Sequence, residues 1–299
     1  MMGSWMGLSK WRHCGGSGID RQPVTGVILL ETVLICGKVS GPATNLGATS
    51  QSVFLLFEIM TSPIDNTRRD LAAIFRWSSQ LGLSEGICNH YSYAVDDQHF
   101  LVNPIGLHWS EITASQLLLV DSLGNVVEGN GEVEPTALFI HWRIHSKLPQ
   151  ARCVLHTHMP HATAITSVDG GRLEMICQNA LRFYEDVAYD EDYCGLALDV
   201  QEGDRIASEL GEKRVLFLAN HGVIVVGNTI AKAFDDLYYL ERACLVQILA
   251  QSTHQPRRVV DADTARRTYD QFAADQPFAE AHLAAIRRIL DRTSPDYVE

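Results

Sequence analysis

Apolar residues recur at helical spacing in the segment that follows Asn66. The positions on one helical face are Leu71, Ile74, Phe75, Ser78 and Leu81. Gly82 follows them, and a glycine is the residue that most often ends a helix. The pattern therefore predicts an amphipathic helix from Asn66 to about Leu81.

Short runs with strand character come next along the chain. They read "HYSYAV", "HFLVNP" and "LLLVDSLGNVVEG", and turn-forming residues separate them at 96–97, 104–106 and 124–125. Alternating apolar and polar residues interrupted by Asp, Pro, Gly and Asn are typical of antiparallel hairpins.

A second helix is predicted to open at Glu134-Pro135-Thr136 and to continue to about Lys147, with Thr136 as its N-cap. Leu148-Pro149 ends it, because proline cannot continue a helix. The next run, "RCVLHTH", has the pattern of a strand.

Two further strands are predicted in "RVLFLANHGVIVVG", hinged at Asn220-His221-Gly222. A long helix follows, for which Asn228 or Thr229 is the expected cap. Beyond Pro256, a charged, Ala-rich segment to Asp291 predicts one or two more amphipathic helices. This order of elements predicts an α/β layered domain with a mainly antiparallel sheet.

Composition narrows the class of protein more than it indicates a function. The 299 residues carry a formal net charge of -12, which disfavours nucleic-acid partners because such binding depends on clustered Lys and Arg. Seven scattered cysteines without C-x-x-C spacing favour a reducing cytoplasm. The apolar runs 27–37 and 52–60 are interrupted by Glu31 and Glu58 and are shorter than a membrane span, so no membrane partner is expected.

Three segments are expected from these patterns. Residues 1–59 lack clear periodicity and are predicted to be a disordered or mis-assigned extension, with Met60 as the natural start. Residues 60–252 form the main domain, and residues 253–299 form a C-terminal helical segment.

The stretch "CVLHTHMPHATA" places three histidines within six residues at the end of an apolar strand. Side chains alternate along a strand, so His156 and His158 point to one face. His221, beside a turn glycine in a second strand pair, is the best third ligand for an open catalytic metal site. On spacing alone, two half-exposed strand residues are the more common interpretation; the apolar strand end and the second histidine beside a glycine make the two interpretations equal. His161 is expected to be a packing residue.

The combined motifs resemble the class II aldolase/adducin family. The resemblance rests on "VLHTHMPHATA", on "LANHGVIVVG" and on the helix "TIAKAFDDLYYLERACLVQILA". It implies an α/β/α layered domain over 60–252 and a fourfold tetramer with its site near a subunit interface. It also implies a divalent metal, zinc foremost and Fe(II) as the alternative, held by His156, His158 and His221.

One residue departs from the pattern of the family's aldolases. Their acid/base glutamate lies nineteen residues before the first ligand, and that position is Ala137 here. Loss of such a group costs roughly 10²- to 10⁴-fold in rate. Glu134 and His141, one turn away on either side, are possible replacements; for His141 a structural role is the preferred interpretation.

The substrate side has changed as well. Pro135 and Thr136 stand where the aldolases have a serine pair, which makes a phosphate group on the substrate less expected. Asn89 and Gly106 match the other two binding elements, so the resemblance implies substrate contacts at Asn89, Gly106 and Thr136. Two more histidines, His90 and His108, are expected to be solvated loop residues.

Three functions follow from the resemblance. The first is a metal-dependent lyase acting on a small carbonyl substrate of sugar or 2-oxo acid type. The second is a non-haem iron oxygenase or decarboxylase of aromatic 2-oxo acids, which does not need the glutamate missing at Ala137. The third is a non-catalytic interaction module, because residues 177–198 look more like adducins than like the sugar-phosphate aldolases.

Overall fold

The computed structural model describes residues 62–274 and 277–299. The predictions for residues 1–59 and for Met60 therefore lie outside the described residues. Within the described ranges, no helix is both long enough and apolar enough to cross a membrane.

Eight helices follow one another along the described chain. The second combines an α-turn (Pro135–Ala137), a π-helical turn (Leu138–Trp142) and an α-helical segment (Arg143–Lys147), and we call it α2. The others are α1 (Pro63–Gln80), α3 (Pro160–Thr166), α4 (Gln178–Leu181), α5 (Val200–Leu210), α6 (Ile230–Ser252), α7 (Ala262–Ala274) and α8 (Pro277–Thr293). Short 3₁₀ turns occupy Ala114–Gln116 and Pro295–Val298.

Eight strands form one sheet in the order β4-β3-β2-β1-β5-β8-β7-β6. Their bounds are β1 (His90–Ala94), β2 (His99–Val102), β3 (Leu118–Asp121), β4 (Val126–Glu128), β5 (Cys153–Thr157), β6 (Val187–Asp190), β7 (Val215–Leu218) and β8 (Gly222–Gly227). Every neighbouring pair is antiparallel except β6 with β7. This confirms the predicted mainly antiparallel sheet.

Helices cover both faces of the sheet because the strands bury apolar residues on both sides. Leu155 and Val225 face α1, α6 and α8 within the larger core cluster. Val154 and Val226 face the opposite way, where they pack against α2 and α5. The α/β/α layering expected from the sequence is therefore confirmed. The histidine cluster lies at the end of the rows of side chains on the sheet face that α2 covers.

Helix α1 starts earlier than the apolar spacing predicts. Ser62 caps it with a capping box in which Asp65 is the reciprocal partner, and Pro63 occupies the first turn. The predicted start at Asn66 was three residues late, because the first turn carries polar capping residues rather than the apolar face.

The start of α2 differs from the prediction in a way that affects the site. Glu134, not Thr136, is the N-cap, since its carboxylate accepts a hydrogen bond from the Ala137 amide. The prediction of Thr136 as cap was wrong because the Glu134 carboxylate caps the Ala137 amide and also accepts the hydrogen bond of the Thr136 hydroxyl. A π-helical turn then follows over Leu138–Trp142.

The two C-terminal helices pack on the same domain. Helix α8 lies against α1 and α6, and Arg287 of α8 pairs with Asp70 of α1 at 3.0 Å. Arg76, buried in α1, binds Asp296 near the chain end at 2.6 Å. These ion pairs fix the 277–299 segment to the helical layer opposite α2.

Replacing Thr229 by alanine should destabilise α6. The Thr229 hydroxyl accepts a hydrogen bond from the Lys232 amide at 3.1 Å, and loss of such a cap costs about 1 kcal/mol in the free energy of unfolding. Urea denaturation measures this change. Asn228→Ala is the matched control, because the exposed Asn228 does not cap the helix; an equal loss in both variants would contradict the capping role of Thr229.

Candidate metal centre

Three imidazoles meet at the ends of β5 and β8. Their ligand atoms can all lie within 4.8 Å of one another. The ring centroids are separated by 5.2 Å for His156 and His158, 4.8 Å for His156 and His221, and 4.7 Å for His158 and His221. The structure therefore brings together the three residues predicted from the sequence as metal ligands.

Strand geometry explains this convergence. His156 pairs with Ile224 across β5 and β8, so the end of β5 lies beside the turn that carries His221. Asn220 adopts a positive φ of 56° in that turn, a conformation that Asn tolerates better than most residues.

Gly222 allows the two strand ends to approach closely. A Cβ atom there would lie 2.7 Å from the Thr157 carbonyl oxygen and 2.9 Å from Cδ2 of His158. Any larger side chain would therefore force β8 away from β5 and displace His158 relative to His221.

The hydrogen bonds leave the rings ready to bind a cation. Nδ1 of His156 donates to the Val223 carbonyl oxygen at 3.0 Å, so its Nε2 carries the lone pair. Nε2 of His158 is buried without a hydrogen-bond partner, and an unpaired buried polar atom costs free energy unless something binds it.

The rings are also in the right protonation state. Burial, reinforced by the neighbouring imidazoles, holds the pKa of His156 well below its usual range. Burial likewise lowers the pKa of His158, and it lowers the pKa of His221 to about 4. Neutral imidazoles are the form that coordinates metals, so the residues present fit a divalent ion.

The rim of the histidine cluster carries one carboxylate and one phenol. Glu85 Oε2 lies 3.9 Å from Nδ1 of His158, and its side chain is exposed. Tyr193, on the exposed loop before α5, places its ring centroid 6.2 Å from that of His221. Both groups are positioned to meet a molecule that approaches the three imidazoles.

A fourth histidine, His90, stacks against the cluster. His90 pairs with His156 across β1 and β5, and their rings stack at 5.8 Å. Nε2 of His90 donates to Oε2 of Glu134 at 2.9 Å. The expectation that His90 is a solvated loop residue was wrong, because His90 opens β1 and is buried. Its alternation with Ser92 in "HYSYAV" was the sequence signal for this placement.

Glu134 is ionised by this arrangement. Burial opposes the charge, but hydrogen bonds from His90, Thr136 and the Ala137 amide outweigh it and lower the pKa of Glu134 to about 2. The carboxylate is therefore negative at neutral pH and acts as a hydrogen-bond acceptor.

His141 belongs to a buried polar chain beneath these residues. Its Nδ1 lies 2.6 Å from the Ser92 hydroxyl, which also lies 2.7 Å from Nε2 of His145. Nδ1 of His145 donates to the Ala151 carbonyl oxygen. The His145 Nε2 therefore accepts the Ser92 proton, and His141 donates Nδ1–H to Ser92. Burial keeps the pKa of His141 well below its usual range, which fits the structural role expected for it.

The three predicted substrate-binding residues have different environments. Asn89 is buried with φ 74°, and its Oδ1 accepts a hydrogen bond from the His158 amide at 3.3 Å. Gly106 is exposed in the loop after β2, where a Cβ would meet nothing within 4 Å. The Thr136 hydroxyl donates to Glu134. Asn89 and Thr136 thus already serve the site's own structure.

The remaining candidates lie outside the cluster. Ala137 is fully buried in a cluster with Phe100 and Val102, and its methyl group can act neither as an acid nor as a base. His108 is in a loop, with Nδ1 2.7 Å from the Ser110 hydroxyl. His161 binds the buried Glu241 at 2.7 Å at the start of α3, which agrees with its expected packing role.

Comparison with known proteins gives a consistent set of similarities. A family model described as Class II Aldolase and Adducin N-terminal domain matches residues 69–248. The structure of an aldolase II superfamily protein from Pseudomonas syringae is 33% identical with a TM-score of 0.74, and the match covers 82% of this chain and 100% of that one.

Two further proteins represent the enzymes and the adducins. L-fuculose 1-phosphate aldolase from Glaciozyma antarctica PI12 is 27% identical with a TM-score of 0.70, over 78% of this chain and 92% of that one. Alpha-adducin from Rattus norvegicus is 37% identical over 60% of this chain. The matched region is 25% of that adducin's length, so only part of it is comparable.

Proposed function

This chain belongs to the class II aldolase/adducin family, and from that premise we propose that it is a metal-dependent lyase acting on a small carbonyl substrate. The observation that supports the proposal most is the convergence of His156, His158 and His221 within 4.8 Å. Structural relatives that are aldolases favour carbon–carbon lyase chemistry.

We assign His156, His158 and His221 as the residues that hold a divalent ion, zinc in the first instance. When bound, such an ion polarises a carbonyl oxygen and stabilises negative charge that develops on it. The protein supplies neutral ligands, of which His156 is oriented by the Val223 carbonyl oxygen. Asn89, Gly106 and Thr136 remain the proposed substrate contacts.

Glu134 is the better replacement for the carboxylate missing at Ala137. It is ionised, and it accepts a hydrogen bond from His90, whose ring stacks on that of the proposed ligand His156. We assign it to accept the proton of a substrate hydroxyl as the carbon–carbon bond breaks. His141 is less suited because it is fully buried and its Nδ1 is committed to Ser92.

Metal analysis of anaerobically purified protein tests the proposal. We expect about one zinc per chain, together with cleavage or reverse addition of a small hydroxycarbonyl compound. Iron with substrate-triggered oxygen uptake would instead indicate the oxygenase that tolerates Ala137. Absence of bound metal after anaerobic purification, with no gain on adding zinc, would contradict the lyase and favour a non-catalytic, adducin-like module.

The family resemblance carries two further proposals. We propose that the protein assembles as a homotetramer with its site near a subunit interface, which multi-angle light scattering of the metal-loaded protein tests. We also propose a cytoplasmic location, in keeping with the scattered cysteines.

A further inference from the structure

Two hydrogen-bond donors at the start of α2 are already occupied by the protein itself. Oε2 of Glu134 accepts from the Thr136 hydroxyl and from the Ala137 amide at 3.0 Å. Pro135, which follows Glu134, has no N–H group to donate. A helix start normally attracts anions through free donors, but here an internal carboxylate occupies the Thr136 hydroxyl and the Ala137 amide.

The charges around the histidine cluster also disfavour an anionic group on the substrate. Glu134 and Glu85 both lie at hydrogen-bond or ion-pair distance from imidazoles of the site, at 2.9 and 3.9 Å. Across residues 62–274 and 277–299, no lysine or arginine forms a hydrogen bond or ion pair with Glu134, His90 or the three proposed ligands. A phosphate next to Glu134 would meet like charge with no lysine or arginine beside it to compensate.

Glu134 nevertheless keeps one atom free for a ligand. All three of its hydrogen bonds end on Oε2. Oε1 has no hydrogen-bond partner among the described residues and is not among their buried unpaired atoms. An accessible carboxylate oxygen accepts hydrogen bonds from hydroxyl groups and donates none.

We propose that the substrate is an unphosphorylated polyhydroxy carbonyl compound, one of whose hydroxyl groups donates a hydrogen bond to Oε1 of Glu134. The carbonyl group of this substrate follows from the proposed lyase function, on which the inference rests. The exclusion of phosphate follows from the start of α2, where Glu134 already occupies hydrogen-bond donors. Selectivity then comes from like-charge repulsion of phosphate esters together with recognition of hydroxyls.

Phosphate affinity tests the exclusion without requiring turnover. Inorganic phosphate is titrated into metal-loaded protein, and the midpoint of thermal unfolding is followed. Glu134→Gln should raise the apparent phosphate affinity at least about tenfold over wild type, since relief of roughly 1.4 kcal/mol of repulsion corresponds to that factor. Glu132→Gln is the matched control, because Glu132 is exposed two residues earlier and contacts none of these donors.

An equal phosphate response in wild type, Glu134→Gln and Glu132→Gln would overturn the exclusion. The substrate class itself is tested by exchange of the α-hydrogens of dihydroxyacetone and of its phosphate in D₂O, followed by NMR. We expect a kcat/KM at least about tenfold higher for dihydroxyacetone with wild-type protein; a preference for the phosphate would overturn the inference. Exchange of neither compound while metal stays bound would count against the lyase function instead, and the phosphate titration would still report on the exclusion.

Discussion

His158→Ala should leave the purified protein without bound metal and without lyase activity. His158 supplies one of the three imidazoles. Its Nε2 is buried without a hydrogen-bond partner, as expected for an atom that binds a cation. Substituting a residue that only supports a ligand already weakens metal binding about 10- to 100-fold. Removing a ligand should therefore lower the affinity by more than about 100-fold, as measured by competition with a chromogenic chelator.

His108→Ala is the control for this experiment. It removes an imidazole from a loop where its partner is Ser110 rather than the cluster. Metal content in this variant should equal that of wild type. Full metal occupancy in His158→Ala would refute the ligand assignment, even if activity were lost.

Asp236→Ala should destabilise the fold more than the loss of a partly exposed carboxylate such as Asp204. The Asp236 carboxylate is completely buried on α6 and binds Arg214 as well as Lys232, the latter at 2.6 Å. Removing one partner of a buried pair leaves an uncompensated charge. We expect a cost of about 3 kcal/mol in the free energy of unfolding, at the low end for such changes because Arg214 retains Asp186.

Asp204→Ala provides a matched comparison. Asp204 also has two cationic partners, Arg143 and Lys147, but its side chain is partly exposed. Solvent screens such a pair, so the shift in the urea midpoint should be much smaller than for Asp236→Ala. Similar shifts for the two variants would contradict the role assigned to burial.

Local patterns predicted much of this architecture because they report directly on which face of an element is buried. The spacing of Leu71, Ile74 and Phe75 identified α1, and alternation in "RCVLHTH" and "RVLFLANHGVIVVG" identified β5, β7 and β8. The same alternation placed His156 and His158 on one face, and Gly222 indicated the tight turn that brings His221 to them.

The environment of the cluster was harder to predict, since it depends on strand register and on side-chain hydrogen bonds between distant segments. Nothing local in the sequence aligns His90 with His156; that follows from the β1–β5 pairing. Glu134 and Thr136 are both residue types that can accept hydrogen bonds at a helix start, and only the folded structure shows that the Glu134 carboxylate binds the Ala137 amide and the Thr136 hydroxyl.

The π-helical turn at Leu138–Trp142 makes the site depend on how this part of α2 is wound. A π-turn holds one residue more than an α-turn along a similar path. If the same residues wound as an ordinary α-helix, everything before them would rotate by roughly 100° relative to Arg143–Lys147. Glu134 would then turn away from His90. The winding of this one turn therefore decides which side chain α2 presents to the imidazoles.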